Sequence, residues 1–317
     1  MRILVTGGTG FIGSSLVQRL KEQGHDVQEL VRYVAGGRYN YYDRNERTFA
    51  DVRDPEAVNA CVLFVKPEII INLAAQSGVS YSFLNSHDVI STNTLGTVAL
   101  ADAAAKLDNF KLLIHASTSE VYGTSVDYPT KEDARLGATS PYAVSKIAAE
   151  EYLRVCEQIY KLPVLIMRPF NTFGRATVMN RHYAVERAIT QALETQHISL
   201  HDSRPYRDFI FRDDHVNAYV HAVERWYKLV GETINVCTGN SWSIKEMAET
   251  VAHYVEELTG KAVQVDFLEK PDRPLDIPRL QGDNRKVREL LDWIPVYSFS
   301  TGIKKAVEEW AQALNIK

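Results

Sequence analysis

A tyrosine and a lysine stand four positions apart in the segment SPYAVSK, residues 140–146. Ser140-Pro141 is a typical helix start, and this spacing places Tyr142 and Lys146 on one face of the helix that follows. A phenol is a poor base at neutral pH because its ordinary pKa is about 10, but a nearby cation lowers that pKa. The pair is therefore a candidate acid/base, with Tyr142 reacting and Lys146 tuning it. Tyr-x-x-x-Lys alone is also common on ordinary helix surfaces, so this interpretation depends on the residues around it.

A second polar cluster, HASTSEVYG at residues 115–123, follows an apolar run at residues 111–116. Ligands of open α/β sheets bind at the carboxyl ends of the parallel strands. We therefore expect Ser117, Thr118, Ser119 and Glu120 to lie beside a binding crevice. The same sequence is also compatible with a hydroxyl-rich turn that carries a solvated glutamate. A third sequence element favours the functional interpretation.

That element is the glycine-rich segment TGGTGFIG at residues 6–13, which follows a short apolar strand and precedes an amphipathic stretch. It contains Gly-x-Gly-x-x-Gly from Gly8 and Gly-x-x-Gly-x-x-Gly from Gly7. Glycines at these positions allow a tight turn and a close approach of the backbone to a pyrophosphate at a helix N-terminus. A glycine run alone is a weak signal, but its place between a strand and a helix predicts a dinucleotide site.

The elements that would position these residues alternate between short β-branched runs and amphipathic stretches. This pattern predicts the α/β class: a doubly wound parallel (Rossmann) sheet with a smaller C-terminal α/β substrate lobe. The dinucleotide-binding domain is predicted at residues 1–171, joined by parts of 208–238, and the substrate lobe at 172–317. Strands are predicted at residues 3–5, 27–31, 48–51, 68–73, 111–116, 164–168, 198–200, 209–211 and 234–237; helices at 12–22, 55–65, 89–107, 141–160, 184–195, 213–229 and from about 244 to 258, followed by two closing helices.

Composition narrows the possible partners. The 317 residues carry a formal net charge of -4, with both signs interspersed, so no basic stripe indicates nucleic acid. Three scattered cysteines in apolar stretches are typical of free thiols in a reducing compartment, and no apolar run is long enough to span a membrane. We therefore expect a cytoplasmic protein without a membrane or nucleic-acid partner. The histidines lack metal-site spacing, so no metal is predicted, and His182, His201, His215 and His221 are expected in solvated or capping roles.

The chain resembles the extended short-chain dehydrogenases/reductases that act on nucleotide sugars. The resemblance extends over almost the whole length, through TGGTGFIG, NLAAQS, STSEVYG, SPYAVSK, RPFNTFG, RDFIFRDDHV and RPLDIPRLQGDNRKVRELLDW. Within this family, Thr-Ser-Glu before Val-Tyr-Gly is similar to 4,6-dehydratases and uronic acid decarboxylases, whereas 4-epimerases generally lack the acid. The closing segment and Val31-Arg32 are similar to GDP-mannose 4,6-dehydratases.

The resemblance implies a lyase that oxidises C4 of the sugar, eliminates water across C5 and C6, and returns hydride to C6, giving a 4-keto-6-deoxy sugar. The implied catalytic residues are Thr118, Ser119, Glu120, Tyr142 and Lys146. Alternatives are a UDP-glucuronate decarboxylase, a nucleotide-sugar 4-epimerase, a 5,6-dehydratase and, from another class, an NADP sensor without turnover. The intact Tyr142 and Lys146 argue against the sensor.

The resemblance also implies the cofactor contacts. An acid at the end of the second strand usually binds the ribose of NAD, while an arginine there can receive the 2′-phosphate of NADP. Arg32 thus favours NADP, although an arginine stacked on adenine would suit NAD. Asp51 is expected to bind the adenine amine. The cofactor-binding residues are predicted to be Gly7, Gly10, Phe11, Ile12, Gly13, Arg32, Asp51, Val52, Leu73, Ala74, Ala75, Ser117, Tyr142, Lys146 and Pro169.

A nucleotide-diphosphate sugar is the expected substrate, with its base and its sugar left open by residues 174–189 and by Gly78. The substrate-binding residues implied by family motifs are Ser77, Asn171, Arg207, Arg273 and Asp276. The resemblance further implies a homodimer built from helices 89–107 and 141–160 as a four-helix bundle. Val98, Leu100, Ile147 and Leu153 are compatible with that interface, but packing against the sheet would use the same apolar pattern.

Overall fold

The structure is a computed structural model that describes residues 1–32, 47–125, 127–176, 183–270 and 274–316. Its strands follow the order of the chain. They are β1 (Arg2–Thr6), β2 (Asp26–Val31), β3 (Arg47–Phe49), β4 (Ile69–Asn72), β5 (Leu112–Ala116), β6 (Val164–Pro169), β7 (Asn171–Phe173), β8 (His197–Leu200), β9 (Tyr206–Arg207), β10 (Phe209–Phe211), β11 (Glu232–Val236), β12 (Trp242–Ser243), β13 (Gln264–Phe267) and β14 (Arg279–Leu280).

The helices connect these strands and cover both faces of the main sheet. They are α1 (Phe11–Glu22), α2 (Pro55–Val65), α3 (Val79–Leu84), α4 (Ser86–Ile90), α5 (Gly96–Ala104), α6 (Pro141–Tyr160), α7 (Ala184–Thr195), α8 (Arg212–Glu224), α9 (Ile244–Thr259), α10 (Arg285–Leu291) and α11 (Phe299–Ala313). Short 3₁₀ turns lie at Ser119–Tyr122 and Trp226–Lys228. No helix within the described ranges combines the length and the apolar character needed to cross a bilayer.

The central sheet has seven parallel strands in the order β11-β6-β5-β4-β1-β2-β3. This order confirms the predicted doubly wound, Rossmann-type fold, in which the chain reverses direction beside β1. The register places Val5 of β1 beside Ile71 of β4, Ile71 beside Ile114 of β5, and Ile114 beside Leu165 of β6. All four strands therefore end at the same edge, where their loops meet.

Strand β1 shows why the sheet is buried on both faces. Side chains alternate along a strand, so Ile3 and Val5 pack with α1 and α8 on one face, while Leu4 packs with α2, α5 and α6 on the other. All three side chains are fully buried. The short apolar run at the start of the chain is therefore a central strand of the kind found in parallel sheets.

The C-terminal part contains a second hydrophobic core. Phe173, Phe209, Phe211 and Phe299 pack together, and α7, α9 and α11 enclose them. The short pairs β7–β10 and β8–β13 and the three-stranded sheet β12-β9-β14 belong to this part. The domain boundary at residue 171 stays a prediction.

Two predicted helices differ from the observed ones. The predicted helix at residues 89–107 begins as α4, widens into a π-helical turn at Ser91–Leu95 and continues as α5. In that turn Asn93 Nδ2 donates to Ser145 Oγ at 2.9 Å and Thr94 Oγ1 donates to the Ser145 carbonyl at 2.9 Å. The predicted helix at 213–229 ends at Glu224 and is followed by a 3₁₀ turn. Hydrogen bonds to distant residues and local tightening of this kind do not follow from hydrophobic periodicity.

Candidate active site

A cleft of about 1170 Å³ opens at the carboxyl ends of β1, β4, β5 and β6. Every predicted site residue that the structure describes lines it; Arg273 and His182 lie outside the described residues. The cleft thus brings together Gly7, Gly10, Phe11, Ile12, Gly13, Arg32, Asp51, Val52, Leu73, Ala74, Ala75, Ser77, Ser117, Thr118, Ser119, Glu120, Tyr142, Lys146, Pro169, Asn171, Arg207 and Asp276. Their individual roles stay predictions.

The glycine loop fits the pyrophosphate of a dinucleotide. Gly7 has a φ of +69°, and a Cβ atom added at Gly13 would lie 2.2 Å from the Gly7 carbonyl oxygen. Both positions therefore need glycine, because a side chain would strain or displace the turn. Gly10 occupies the N-cap of α1 and has no side chain to cover the first backbone N–H groups. A helix start that stays open in this way suits a bound phosphate.

Two arginines flank Asp51 at the end of the cleft where β2 and β3 end. Arg53 Nη2 lies 2.6 Å and Arg32 Nη1 lies 3.8 Å from Asp51 Oδ2. Hydrogen bonds from the Arg53 side chain are the main reason why the pKa of Asp51 is lowered. Asp51, expected to bind the adenine amine, thus uses part of its hydrogen-bonding capacity within the protein. The result is a carboxylate held between two guanidinium groups where β2 and β3 end.

The turn after β5 carries the predicted reactive side chains. Thr118 is the N-cap of the 3₁₀ turn, and its Oγ1 accepts from the Glu120 backbone N–H at 3.2 Å. The Thr118 side chain also lies near enough to Tyr142 to lower the pKa of the phenol. Glu120 is buried, and its charge contributes to raising the pKa of Tyr142. Glu120 therefore shares the cleft with the phenol and lies close enough to influence it.

The predicted tuning of Tyr142 by Lys146 differs from what the structure shows. Burial raises the pKa of Tyr142, and the neighbouring Thr118 side chain offsets this only in part. Lys146 Nζ donates to the Ala116 carbonyl at 2.7 Å, and burial lowers the pKa of Lys146 to about 8. The expected lowering of the Tyr142 pKa by Lys146 was wrong, because desolvation of the phenol raises that pKa. Burial thus favours the neutral phenol, and Tyr142 must lose its proton before it can act as a base.

A buried ion pair holds this turn on both sides. Glu150, one helical turn after Lys146, accepts hydrogen bonds from Arg168 Nε at 3.0 Å and from Arg168 Nη2 at 2.6 Å. The Ser117 hydroxyl donates to the same carboxylate through a short hydrogen bond. On the other side, Arg168 Nη1 donates to the Tyr122 hydroxyl at 2.9 Å. The pair therefore fixes the residues that flank Thr118–Glu120, and sequence reasoning missed it.

The histidine prediction was partly wrong. His215 is buried and lines the cleft, with Nδ1 2.8 Å from Thr172 Oγ1. Its pKa is lowered to about 3 by burial, so the expected solvated or capping role does not hold. Tyr219, one turn later on α8, also lines the cleft and was missed. The available signal was the spacing of four residues between His215 and Tyr219 on the helix that follows the RDFIF motif. Among the residues described, no group of three or more His, Cys, Asp or Glu side chains could hold a metal ion.

The opposite end of the cleft is polar. Arg207 is buried, and its guanidinium donates to Asp276 Oδ1 at 2.7 Å and to the Ile277 carbonyl at 2.8 Å. Ser77 Oγ and Tyr183 Oη lie 2.8 Å apart. Asp276 thus orients Arg207, and the predicted role of Arg207 in binding a diphosphate stays a prediction.

Comparison with known proteins agrees with this architecture. Residues 4–306 match the family model described as GDP-mannose 4,6 dehydratase. A UDP-glucose 4-epimerase of Mycolicibacterium smegmatis is 35% identical, covering 97% of this chain and 98% of its own. A dTDP-glucose 4,6-dehydratase of Neisseria gonorrhoeae is 29% identical, with 96% and 94% covered. A UDP-N-acetyl-alpha-D-glucosaminuronate decarboxylase of Bacillus cytotoxicus is 32% identical, with 99% of each covered.

The fold is also that of a solved relative. The crystal structure of a Thermus thermophilus UDP-glucose 4-epimerase, in complex with NAD, superimposes with a TM-score of 0.88 at 30% identity, covering 99% of this chain and 100% of that chain. The relatives thus share one scaffold and differ in the reaction named for them. The chain belongs to the GDP-mannose 4,6-dehydratase-like family of extended short-chain dehydrogenases/reductases, enzymes that modify nucleotide sugars.

Proposed function

We propose that this enzyme is a nucleotide-sugar 4,6-dehydratase that produces a 4-keto-6-deoxy sugar. The observation that carries the proposal is Glu120, a buried carboxyl group in the same cleft as Tyr142 and Thr118. Elimination across C5 and C6 requires a base for the C5 proton, in addition to the group that acts at the 4-hydroxyl. Glu120, which lies beside Thr118 on the turn after β5 and near Tyr142, can supply this second base.

A dinucleotide held by the glycine loop at residues 7–13 would supply the redox chemistry, hydride transfer from C4 and later to C6. Tyr142 takes the proton of the 4-hydroxyl, and Thr118 hydrogen-bonds the same oxygen. The C4 ketone acidifies the C5 hydrogen, which Glu120 removes. Glu120, alone or with Ser119, protonates the departing 6-hydroxyl, so water leaves. In the last step C6 is reduced and a proton returns to C5. Two protons are removed in all, from the 4-hydroxyl and from C5, and two are placed, on the leaving water and on C5.

The alternative reactions differ in whether they call for an acid at position 120. A 4-epimerase oxidises and reduces C4 without touching the C5 proton, so it needs no second base. A uronate decarboxylase shares the Thr-Ser-Glu pattern by family resemblance, so Glu120 argues against an epimerase but does not by itself separate dehydration from decarboxylation. Both reactions remain outcomes of the experiment that follows.

The proposal is tested by incubating the purified enzyme with GDP-, UDP- and dTDP-linked hexoses and with UDP-glucuronate, and by following the product mass. A dehydratase product has lost the mass of water. Loss of carbon dioxide would identify a decarboxylase, and an unchanged mass with a new stereoisomer would identify an epimerase. Either of these two results would overturn the proposed elimination.

We propose NADP as the preferred cofactor. Val31 stands where an NAD enzyme usually has an acid, and Arg32 and Arg53 bring two guanidinium groups to the end of β2. In Arg32→Ala we expect the affinity for NADP to fall by about 10- to 100-fold, because a charge-assisted hydrogen bond to the 2′-phosphate is lost. The affinity for NAD should change little.

Calorimetric titration of each dinucleotide measures this effect. Arg19→Ala is the matched control, because Arg19 lies on the exposed side of α1 beside Glu22. If Arg32→Ala weakened NAD and NADP equally, the arginine would stack on adenine and would not select the phosphate.

We also propose a homodimer through the outer faces of the π-helical turn and α6. Leu95 and Ile159 are 56% and 65% exposed there, and Val144 and Val155 are exposed on the same helix as Ile159. Leu100 and Leu153, which were compatible with the interface, are instead fully buried in the core. Exposed apolar side chains of this size on two helical segments that pack against each other are typical of a protein contact.

The double variant Leu95→Glu/Ile159→Glu should be a monomer, because charges cannot be buried unpaired at the interface. Light scattering after size-exclusion chromatography gives the mass. Phe64→Glu is the control, since Phe64 is 85% exposed on α2, away from α6. A double variant with the mass of the wild type would place the contact elsewhere or exclude it.

A further inference from the structure

Two buried side chains on α8 line the cleft and carry polar atoms without a hydrogen-bond partner among the described residues. His215 and Tyr219 are one helical turn apart, are 4% and 0% exposed, and both line the cleft. Their ring centroids are 5.2 Å apart. Among the atoms of the described residues, neither His215 Nε2 nor the Tyr219 hydroxyl has a hydrogen-bond partner. Burying a polar atom without a partner destabilises a fold, so two such atoms at one cleft point to a ligand that completes them.

The surroundings of His215 determine what this ligand must offer. Thr172 Oγ1 is within 3.4 Å of the Phe170 carbonyl, to which its hydroxyl donates, and it lies 2.8 Å from His215 Nδ1. We assign the single hydroxyl hydrogen to the Phe170 carbonyl, so that Nδ1 carries the imidazole hydrogen and donates to Thr172. Nε2 is then an acceptor. Burial keeps the ring neutral, since it lowers the pKa of His215 to about 3.

Tyr219 supplies the complementary group. Its hydroxyl has a hydrogen to donate, and burial raises its pKa, so it stays protonated. The two side chains thus present one acceptor and one donor side by side. A neutral planar group that carries an N–H donor and a carbonyl acceptor, a primary carboxamide, can satisfy both at once. A charged group would suit the site less well, because both side chains are buried and burial favours the neutral form of each.

The position of the pair indicates where such a carboxamide comes from. Tyr219 packs in the same core cluster as Ile12 of α1 and Ala116 at the end of β5. It is also close enough to Tyr142 for the charge of that phenol to affect its pKa. The pair therefore lies between the glycine loop, which suits a pyrophosphate, and the reactive phenol. A dinucleotide that extends from the first to the second places its nicotinamide ring beside α8.

We propose that His215 and Tyr219 form a subsite for the carboxamide of the nicotinamide ring, with the amide N–H donating to His215 Nε2 and the Tyr219 hydroxyl donating to the amide carbonyl. This inference rests on the proposed dinucleotide-dependent function. The subsite would fix the rotation of the ring about its glycosidic bond, because one rotamer alone brings the carboxamide to α8. The face of the ring presented to Tyr142 and Glu120 would then be set by the protein.

Binding measurements test this without turnover. Protein freed of any co-purified dinucleotide is titrated with oxidised NADP, with its 3-acetylpyridine analogue, in which a methyl ketone replaces the carboxamide, and with 2′-phospho-ADP-ribose, which lacks nicotinamide. We expect His215→Leu and Tyr219→Phe to weaken NADP binding by about 5- to 50-fold and to leave the affinity for phospho-ADP-ribose unchanged. The wild type should discriminate against the acetylpyridine analogue, and His215→Leu should lose that discrimination.

Two controls separate this effect from a structural one. His221→Leu removes another histidine from α8, one that hydrogen-bonds the Leu291 carbonyl and does not line the cleft, and it should bind all three ligands normally. Tyr219→Phe keeps the ring and its packing, so its melting temperature should match that of the wild type.

Other results would overturn the proposal. Equal weakening of NADP and phospho-ADP-ribose would mean that the pair does not contact the carboxamide. Unchanged NADP affinity with weaker binding of the nucleotide sugar would assign the pair to a sugar hydroxyl. Failure of the proposed dehydration is distinguishable, because it would change the product mass and leave these affinities intact. A wild type that binds no dinucleotide would remove both proposals.

Discussion

Glu120→Gln should stop turnover after C4 is oxidised and leave reduced cofactor on the enzyme. Gln has nearly the shape of Glu and keeps the backbone hydrogen bond to Thr118, but it cannot remove the C5 proton. A positioned acid/base contributes about 10²- to 10⁴-fold in rate, so kcat should fall by that amount. The oxidation itself depends on Tyr142 and Thr118, which the substitution leaves in place.

Rapid mixing with the nucleotide sugar, followed by absorbance of the reduced nicotinamide, detects the stalled state. In deuterium oxide, the wild type should introduce deuterium at C5, whereas the variant should not. Tyr142→Phe is the matched control, because it removes the group that acts at the 4-hydroxyl and should show neither reduced cofactor nor exchange. Normal turnover of Glu120→Gln without accumulation of reduced cofactor would disprove the assigned role.

Lys146→Met should make the protein more stable and nearly inactive. Lys146 is 3% exposed, and burial lowers its pKa from 10.5 to about 8, which means that the fold disfavours the ammonium. At pH 7 this penalty corresponds to about 3 kcal/mol, and the lost hydrogen bond to Ala116 offsets about 1 kcal/mol of the gain. We expect the free energy of unfolding to rise by about 1–3 kcal/mol, while kcat falls at least about 100-fold.

The pH dependence distinguishes this cause from better packing. Because the folded pKa of Lys146 lies below the unfolded one, the unfolded chain binds more protons between about pH 8 and 10.5. Wild-type stability therefore gains from this group as pH rises through that window, and the advantage of the variant shrinks. Chemical denaturation at pH 7 and at about pH 10 measures the difference.

Lys106→Met is the control for that comparison. Lys106 donates to Asn59 on the surface, so its removal should change neither stability nor activity appreciably. If Lys146→Met is less stable than the wild type at pH 7, the buried ammonium stabilises the fold. The predicted stability cost of Lys146 would then be wrong.

Local signals explain which elements could be predicted. Helices α2 and α6 begin and end where expected, because Asp54 and Ser140 cap them, a proline follows each cap, and the first residue after each helix is left-handed. The Ser243–Glu246 capping box likewise starts α9. The alternation of strands and helices was sufficient to predict a parallel sheet, because parallel strands need crossover connections, which are usually helices.

Contacts between distant segments explain what was missed. Apolar residues recur at helical spacing in both helices, but Leu100 and Leu153 lie in the core, whereas Leu95 and Ile159 lie at the surface. Periodicity reports which side of a helix is apolar, but it does not report what covers that side. The Tyr142 pKa was misjudged for a related reason, because proximity of a cation is visible in spacing, whereas desolvation depends on the whole surrounding fold.

Taken by itself, the amino-acid sequence determined the Rossmann-type sheet, the glycine loop at the start of α1, and the neighbourhood of Thr118, Glu120, Tyr142 and Lys146. These follow from residue types at short spacings and from the rule that parallel strands end at one edge. The tertiary structure alone decided that Glu150 and Arg168 clamp the reactive turn and that His215 and Tyr219 face the cleft. Their partners are brought together by folding, and burial of each polar atom is a property of the packed molecule.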